Sequence, residues 1–249
     1  LLAEAATQFQ AQAFNELLPA AGPVRTVVMG KESPSKKQQA QRVRQFMNYY
    51  ITTVMEEYTP DMDQMLFYLP LAGSTFKKTY YDETLGRAVS RFVPAENLVV
   101  PYETSDLETC PNITQVVRMS LNDLRKRQIY GTYLDVEVIP AQKEMSSLDG
   151  EMDRIEGLEP NQIDYDCTIL EVHADLDLEG YEELDDEGEP TGIKVPYIVT
   201  ISEDNGQILS IRRNYQEDDE LKKKIQYFTH FKFLPGFGFY GLGLIHTIG

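Results

Sequence analysis

GSTFKKTYYDETLGRAVSRFV, residues 73–93, is where the grammar of this chain changes. Upstream, apolar residues recur every three or four positions. Here β-branched and aromatic residues crowd into two runs on either side of Asp82–Gly86. That pattern predicts a β-hairpin with a short polar loop. Reading backwards from it gives helices. LLAEAATQFQAQAFNELL, 1–18, places Phe9, Ala13, Phe14 and Leu17 at helical spacing, and Pro19 to Pro23 break it. VRTVVMG, 24–30, reads as a short strand. Ser33 is a good N-cap and Pro34 a good first helical residue. The helix that follows carries a wide apolar stripe, Val43, Phe46, Met47, Tyr50, Ile51, Val54, Met55 and Tyr58, which must dock on something. Thr59-Pro60 is expected to end it and start another helix, with Asp61 and Asp63 at its positive end, and Leu69-Pro70 to end that one.

Reading forwards gives strands. NLVVPY (97–102), ITQVVRM (113–119), PYIVTIS (196–202) and ILSIRR (208–213) are strand-like, and Asn205-Gly206 between the last two signals a hairpin. Ser120 caps a short helix over 121–130 that Gly131 stops. In IDYDCTILEVHADLDL, 163–178, the apolar alternation changes phase between Ile169 and Leu170, which predicts a β-bulge or a change of sheet face. IQYFTHFKFL, 225–234, leads into FKFLPGFGFYGLGLIHTIG, 231–249. The expected fold is α+β, helical hairpins packed on mainly antiparallel sheet. It has a helical segment over 1–72 and a β-rich portion over 73–249. Leu1 opens inside a helical pattern and the last residues are apolar, so the chain reads as a piece of a longer protein.

The chain has 249 residues, 42% of them hydrophobic, enough for a real core. Its net charge of −17 is concentrated: residues 144–190 hold 18 acids against one base, Arg154, and the rest is balanced. Such a surface repels nucleic-acid phosphates. Cys110 and Cys167 are too few and too far apart for a disulfide scaffold or a thiolate metal site.

Several patterns invite a chemical reading. Gly236-x-Gly238-x-x-Gly241 matches a dinucleotide-binding fingerprint, but bulky Phe237, Phe239 and Tyr240 stand where backbone must approach pyrophosphate, and Pro235 interrupts the strand. The same stretch is too rich in glycine to cross a membrane. It reads best as a tight turn, Gly236, Gly238, Tyr240, Gly241 and Gly243, where glycines permit close backbone contact and aromatics pack it down. Asp175-x-Asp177-x-Glu179-Gly180 resembles half of a calcium loop, with Asp186 where a bidentate Glu is wanted. Glu171, His173 and Asp175 alternate along one strand face without a second nitrogen or thiolate ligand. Carboxylates within 164–187 leave a hydrolase open as an alternative, as the 175–186 loop leaves a calcium-binding module. No nucleophile–base pair and no cofactor site announces itself, and no catalytic or metal-ligating residue is assigned.

Three phrases carry a resemblance. AGSTFKKTYYDETLGRAVSRFVPAENLVVPYETSDLETCPNITQVVRMSLNDLRKR, PYIVTISEDNGQILSIRRNY and YFTHFKFLPGFGFYGLGLIHTIG look like the portal proteins of tailed bacteriophages, of the P22-like type. The similarity runs from about residue 40 onward. Its most specific parts are the FKKxYYD hairpin, the NLVVPY strand and the GFGFYGLGLIHTIG turn. The resemblance implies a structural subunit, not an enzyme, of a homo-oligomeric ring, usually a dodecamer, at one capsid vertex. That ring is the conduit for packaging and ejecting double-stranded DNA and the head–tail connection. Implied partners are the major capsid and scaffolding proteins, the large terminase subunit and head–tail adaptor proteins. DNA is implied as a passing cargo, and no membrane. Assembly belongs to the bacterial host cytoplasm and the finished ring to the virion. The chain would supply mainly the wing, with Gly236–Gly243 turning towards the stem.

Overall fold

The computed structural model describes residues 1–138, 150–151, 154–155, 157, 167–184 and 187–248. The fold is α+β, and every strand pairing among the described residues is antiparallel. The chain divides into two units, one of Leu1–Glu96, Glu103–Glu108 and Gln226–Gly249, the other of Asn97–Tyr102 and Thr109–Ile225. Residue 73 is therefore not a boundary between folded bodies. Helices and strands on either side of it share one core.

In the first unit, α1 (Leu2–Leu17) and α3 (Tyr58–Ala72) accompany a three-stranded sheet. Its order is β2 (Arg87–Pro94), β1 (Ser74–Asp82), β8 (Phe228–Lys232). The expected hairpin is present, in register from Thr75↔Pro94 to Asp82↔Arg87. The Asp82 carboxylate closes its turn by accepting from the N–H groups of Thr84 (2.9 Å) and Leu85 (3.2 Å). Met62, Met65 and Leu66 of α3 are buried against Phe9, Ala13 and Phe14 of α1 and Phe92 and Phe231 of the sheet. β2 is an edge strand, whose unpaired N–H groups need partners. The helical side supplies them: Tyr50 Oη accepts from Ala88 (3.0 Å), Glu57 Oε1 from Ser90 (3.1 Å) and Asp61 Oδ2 from Phe92 (2.8 Å).

Helix boundaries differ from the sequence reading in instructive ways. α2 (Pro34–Tyr49) starts where Ser33 predicts, with Ser33 Oγ accepting from the Lys36 N–H (3.3 Å). It runs into a π-helical turn, Tyr50–Val54. α3 begins at Tyr58, so Thr59-Pro60 lies inside its first turn, where a proline's missing N–H has no intrahelical acceptor to lose. Pro70 does not stop the helix. Gly73 does, in a left-handed conformation (φ 83°) with its N–H donating to Leu69 O (2.8 Å). Residues 24–30 form no strand. They run along α2, with the Val24 N–H donating to Asn48 Oδ1 (2.8 Å) and Thr26 Oγ1 to Ala40 O (3.0 Å).

The second unit is a five-stranded sheet in the order β3 (Leu98–Val99), β4 (Asn112–Met119), β5 (Cys167–Leu176), β6 (Val195–Ser202), β7 (Ile208–Arg213). α4 (Leu121–Ile129) packs Leu124 against Cys167, Ile169 and Leu209 on one face. Val195, Tyr197 and Val199 form a second cluster with Leu176 and Ile201. The phase change at Ile169/Leu170 is not a bulge. β5 pairs in continuous register with β4 and with β6, and the register shift falls instead at Thr200/Ile201 between β6 and β7. A central strand with apolar cover on both faces needs no single alternation. Residues 163–166 lie outside the described residues, as do 139–149, so the polar stretch 140–160 is described only in fragments.

Candidate functional site

The five residues assigned to the terminal turn fold together. Leu234 and Leu242 exchange both backbone hydrogen bonds (3.2 and 2.8 Å), pinching off residues 235–241 as a loop that precedes the short α5 (Leu244–Ile248). The loop docks on the α3–β1 junction. A Cβ at Gly241 would stand 2.5 Å from Gly73 O and 2.7 Å from Leu234 O. At Gly243 it would collide with Leu71 O, and at Gly236 with Tyr240 O. These three glycines are glycines because backbone meets backbone. Gly238 faces open space, so closeness does not explain it. Tyr240 is partly exposed, its ring edge-on to Phe239 at 5.0 Å.

Beneath the loop lies an arrangement that the sequence did not announce. Phe76 of β1 stands opposite His230 of β8, their rings 4.5 Å apart, and Phe239 closes a triangle at 4.6 Å from His230 and 5.8 Å from Phe76. Ser74 Oγ accepts from the Gly241 N–H (2.7 Å) and lies 3.0 Å from His230 Nε2. Burial, with Lys232 nearby, pushes the His230 pKa down to about 4, so at neutral pH the ring is neutral, and its Nε2 and the Ser74 hydroxyl share a hydrogen bond. Serine and histidine in contact are the elements of nucleophilic catalysis. Here they are not placed for it: Ser74 is 1% exposed and its oxygen is occupied by the loop it holds. The chain Gly241 N–H, Ser74 O–H, His230 is a tether. The partners are 156 residues apart, and only a GS pair after an apolar helix hinted at a cap there.

A second buried polar group sits under α3. Lys77 Nζ is buried without a hydrogen-bond partner among the described residues, 4.2 Å from the centre of the Tyr58 ring. Burial lowers its pKa to about 8 against the pull of Asp61 and Glu57. Burial also works to raise Glu57. Its bonds from its own backbone N–H, from Arg87 (2.7 Å) and from Ser90, with the Arg87 charge, outweigh that and hold it below the usual carboxylate value.

The remaining readings fare less well. The Gly-x-Gly-x-x-Gly segment lacks the helix a dinucleotide site needs inside the motif, and its Gly241 N–H is spent on Ser74. His173 Nε2 meets Glu171 Oε1 at 2.6 Å on β5, both largely buried in the sheet. Among the described residues no three His, Cys, Asp or Glu side chains converge in a way that could hold a metal ion. Asp164, Asp166 and Asp186 lie outside the described residues. Cys110 and Cys167 are both buried, their thiols donating to Asn112 O (2.8 Å) and Met119 O (3.3 Å). An open cleft of about 550 Å³ lies between residues 26–32 and α2, lined by Thr26, Glu32, Lys37, Gln41 and Arg44, with Lys37 already paired to Glu32 (2.7 Å). No helix among the described residues is long and apolar enough to cross a membrane. No family model matches the chain, and no curated protein matches it.

Proposed function

We propose that the chain is a structural subunit of the portal ring of a tailed bacteriophage, contributing mainly the wing. The reading rests on the resemblance of its three phrases. The observation that supports it is where two of them lie. FKKTYYD forms β1, and the Gly–aromatic turn is built against the start of that strand, through Gly73, Ser74 and Phe76. Two phrases some 150 residues apart in the sequence, the most specific to the family, thus form one joint. On this reading Gly236–Gly243 is the rigid turn that aims the chain from wing to stem. The acidic balance also fits, because a conduit for DNA must let its cargo slide, and a surface without strong positive charge does not grip phosphates. Capsid, scaffolding, terminase and adaptor proteins would be its partners, and the virion vertex its location.

Negative-stain electron microscopy of the complete gene product tests this directly. Rings with an axial hole wide enough for duplex DNA are expected. Discrete monomers across a wide concentration range would overturn the reading.

A further inference from the structure

Residues 24–30 are a strand without a sheet. Their sequence, VRTVVMG, is strand-like, and their exposure alternates as a strand's does. Val24, Thr26 and Val28 are partly covered, while Arg25, Val27 (81%) and Met29 (85%) are exposed. Each bond to α2 uses a side chain: Asn48 meets both backbone groups of Val24 (2.8 and 3.2 Å), and Thr26 Oγ1 donates to Ala40 O (3.0 Å). From Arg25 to Met29 no backbone N–H or C=O has a hydrogen-bond partner among the described residues. That stretch, about 16 Å long at the rise of an extended chain, is a bare edge and a template for another strand.

A groove lies beside it. The cleft of about 550 Å³ has Thr26, Val27 and Val28 as one wall and Ala40, Gln41 and Arg44 of α2 as the other. Within it Lys37 and Glu32 neutralise each other (2.7 Å). Arg44 has no hydrogen bond or ion pair among the described residues, and the charges that flank the wall, Arg25 and Lys31, are cations too.

We propose that this groove receives an extended, acidic segment of another protein, which adds as a strand along Thr26–Val28 and places a carboxylate on Arg44. Unpaired N–H and C=O groups at strand spacing call for a partner that offers acceptors and donors in the same rhythm. A polypeptide backbone does. The phosphates of nucleic acid or anionic lipid offer acceptors only, and a chain of net charge −17 repels both. A second copy has nothing suitable to give. Among the described residues every other strand already belongs to a sheet, and 24–30 itself carries cations where the groove needs a carboxylate. Main-chain pairing supplies affinity and the Arg44–carboxylate pair supplies selectivity. The inference stands on the groove and does not depend on the portal reading.

The probe is a displayed library of random heptapeptides selected on the purified chain. Recovered peptides are then made with a fluorescein label and measured by anisotropy. They should be rich in β-branched residues and share a carboxylate. Arg44→Glu, a change at an exposed side chain, should weaken their binding at least about tenfold. Proline reads the backbone pairing. Neighbouring N–H groups of an extended chain point to opposite edges, so only one of Val27→Pro and Val28→Pro removes a bond to the peptide. That variant should bind about fivefold more weakly or worse, and the other should stay within about twofold of the unaltered chain. Bound peptide should also slow amide hydrogen exchange within residues 25–29. A library that yields no binder overturns the proposal. So do recovered peptides without a carboxylate, binding indifferent to Arg44→Glu, and proline variants that keep the melting temperature of the unaltered chain yet behave alike. Exchange at these amides that slows on concentrating the chain alone assigns the groove to a second copy and overturns it. Duplex DNA or phosphatidylserine vesicles that displace the peptides from the groove overturn it as well.

Discussion

α2 and α3 follow one another in the sequence, are 16 and 15 residues long, and meet opposite fates. α3 buries Met62, Met65, Leu66, Leu69 and Pro70, and its Asp61, with Glu57 at its N-cap, satisfies the edge of the sheet. α2 buries nothing. Both carry apolar residues at helical spacing. The difference is in what lies between those residues. α3 places carboxylates where unpaired strand N–H groups need acceptors. α2 carries no carboxylate, and its one partly buried amide, Asn48, accepts from the Val24 N–H (2.8 Å). An apolar stripe makes a helix able to dock, and the polar residues beside it select the surface it docks on.

The largest test of that contrast is Met65→Ala. Met65 is fully buried between α1, α3 and the sheet, and its truncation should cost about 2–5 kcal/mol, read as a lower urea midpoint with an unchanged slope. A loss under about 0.5 kcal/mol would mean that α3 is no better anchored than α2.

Next comes the joint at the C-terminal end of α3. Gly243→Ala drives a methyl group into Leu71 O and should cost about 1–3 kcal/mol. Gly238→Ala meets open space and should be neutral or stabilising by up to about 1 kcal/mol. Equal effects at the two sites would dissolve the distinction between contact glycines and the others.

Lys77 gives a pH signature to the same helix. The folded chain loses this proton near pH 8, the unfolded chain near 10.5. Between them the unfolded state binds more protons, so this group makes stability rise with pH from about 8 upward. Tyr58, whose pKa burial raises above 10.0, opposes it only beyond that value. Urea midpoints measured from pH 8 to 10 should therefore climb, and Lys77→Met should flatten the climb. A parallel rise in the variant would show that α3 does not confine the amine.

The smallest expected effect is at Phe46. Phe46→Ala on the exposed face of α2 should change the stability of the isolated chain by no more than about 0.5 kcal/mol. A cost near that of Met65→Ala would place α2 in a core after all.

Much of this molecule was legible residue by residue. Ser33 and Ser120 cap helices where they were expected to, and the β1–β2 and β6–β7 hairpins turn at Asp82–Gly86 and Asn205-Gly206. These are local outcomes, fixed by hydrogen-bond partners within a few positions, so the sequence by itself determined them. It did not determine that α2 would stand in solvent, that residues 24–30 would lie along a helix instead of pairing, or that Pro70 would sit inside α3. Nor did it bring Ser74 to His230 and Gly241, or separate Gly238 from Gly236, Gly241 and Gly243. Each of those depends on which distant surface arrives, and a glycine's reason for being glycine is the neighbour that a Cβ would strike. Periodicity states that a face is apolar. Only the tertiary structure decides whether anything covers it, because burial is a property of two surfaces and the local pattern describes one.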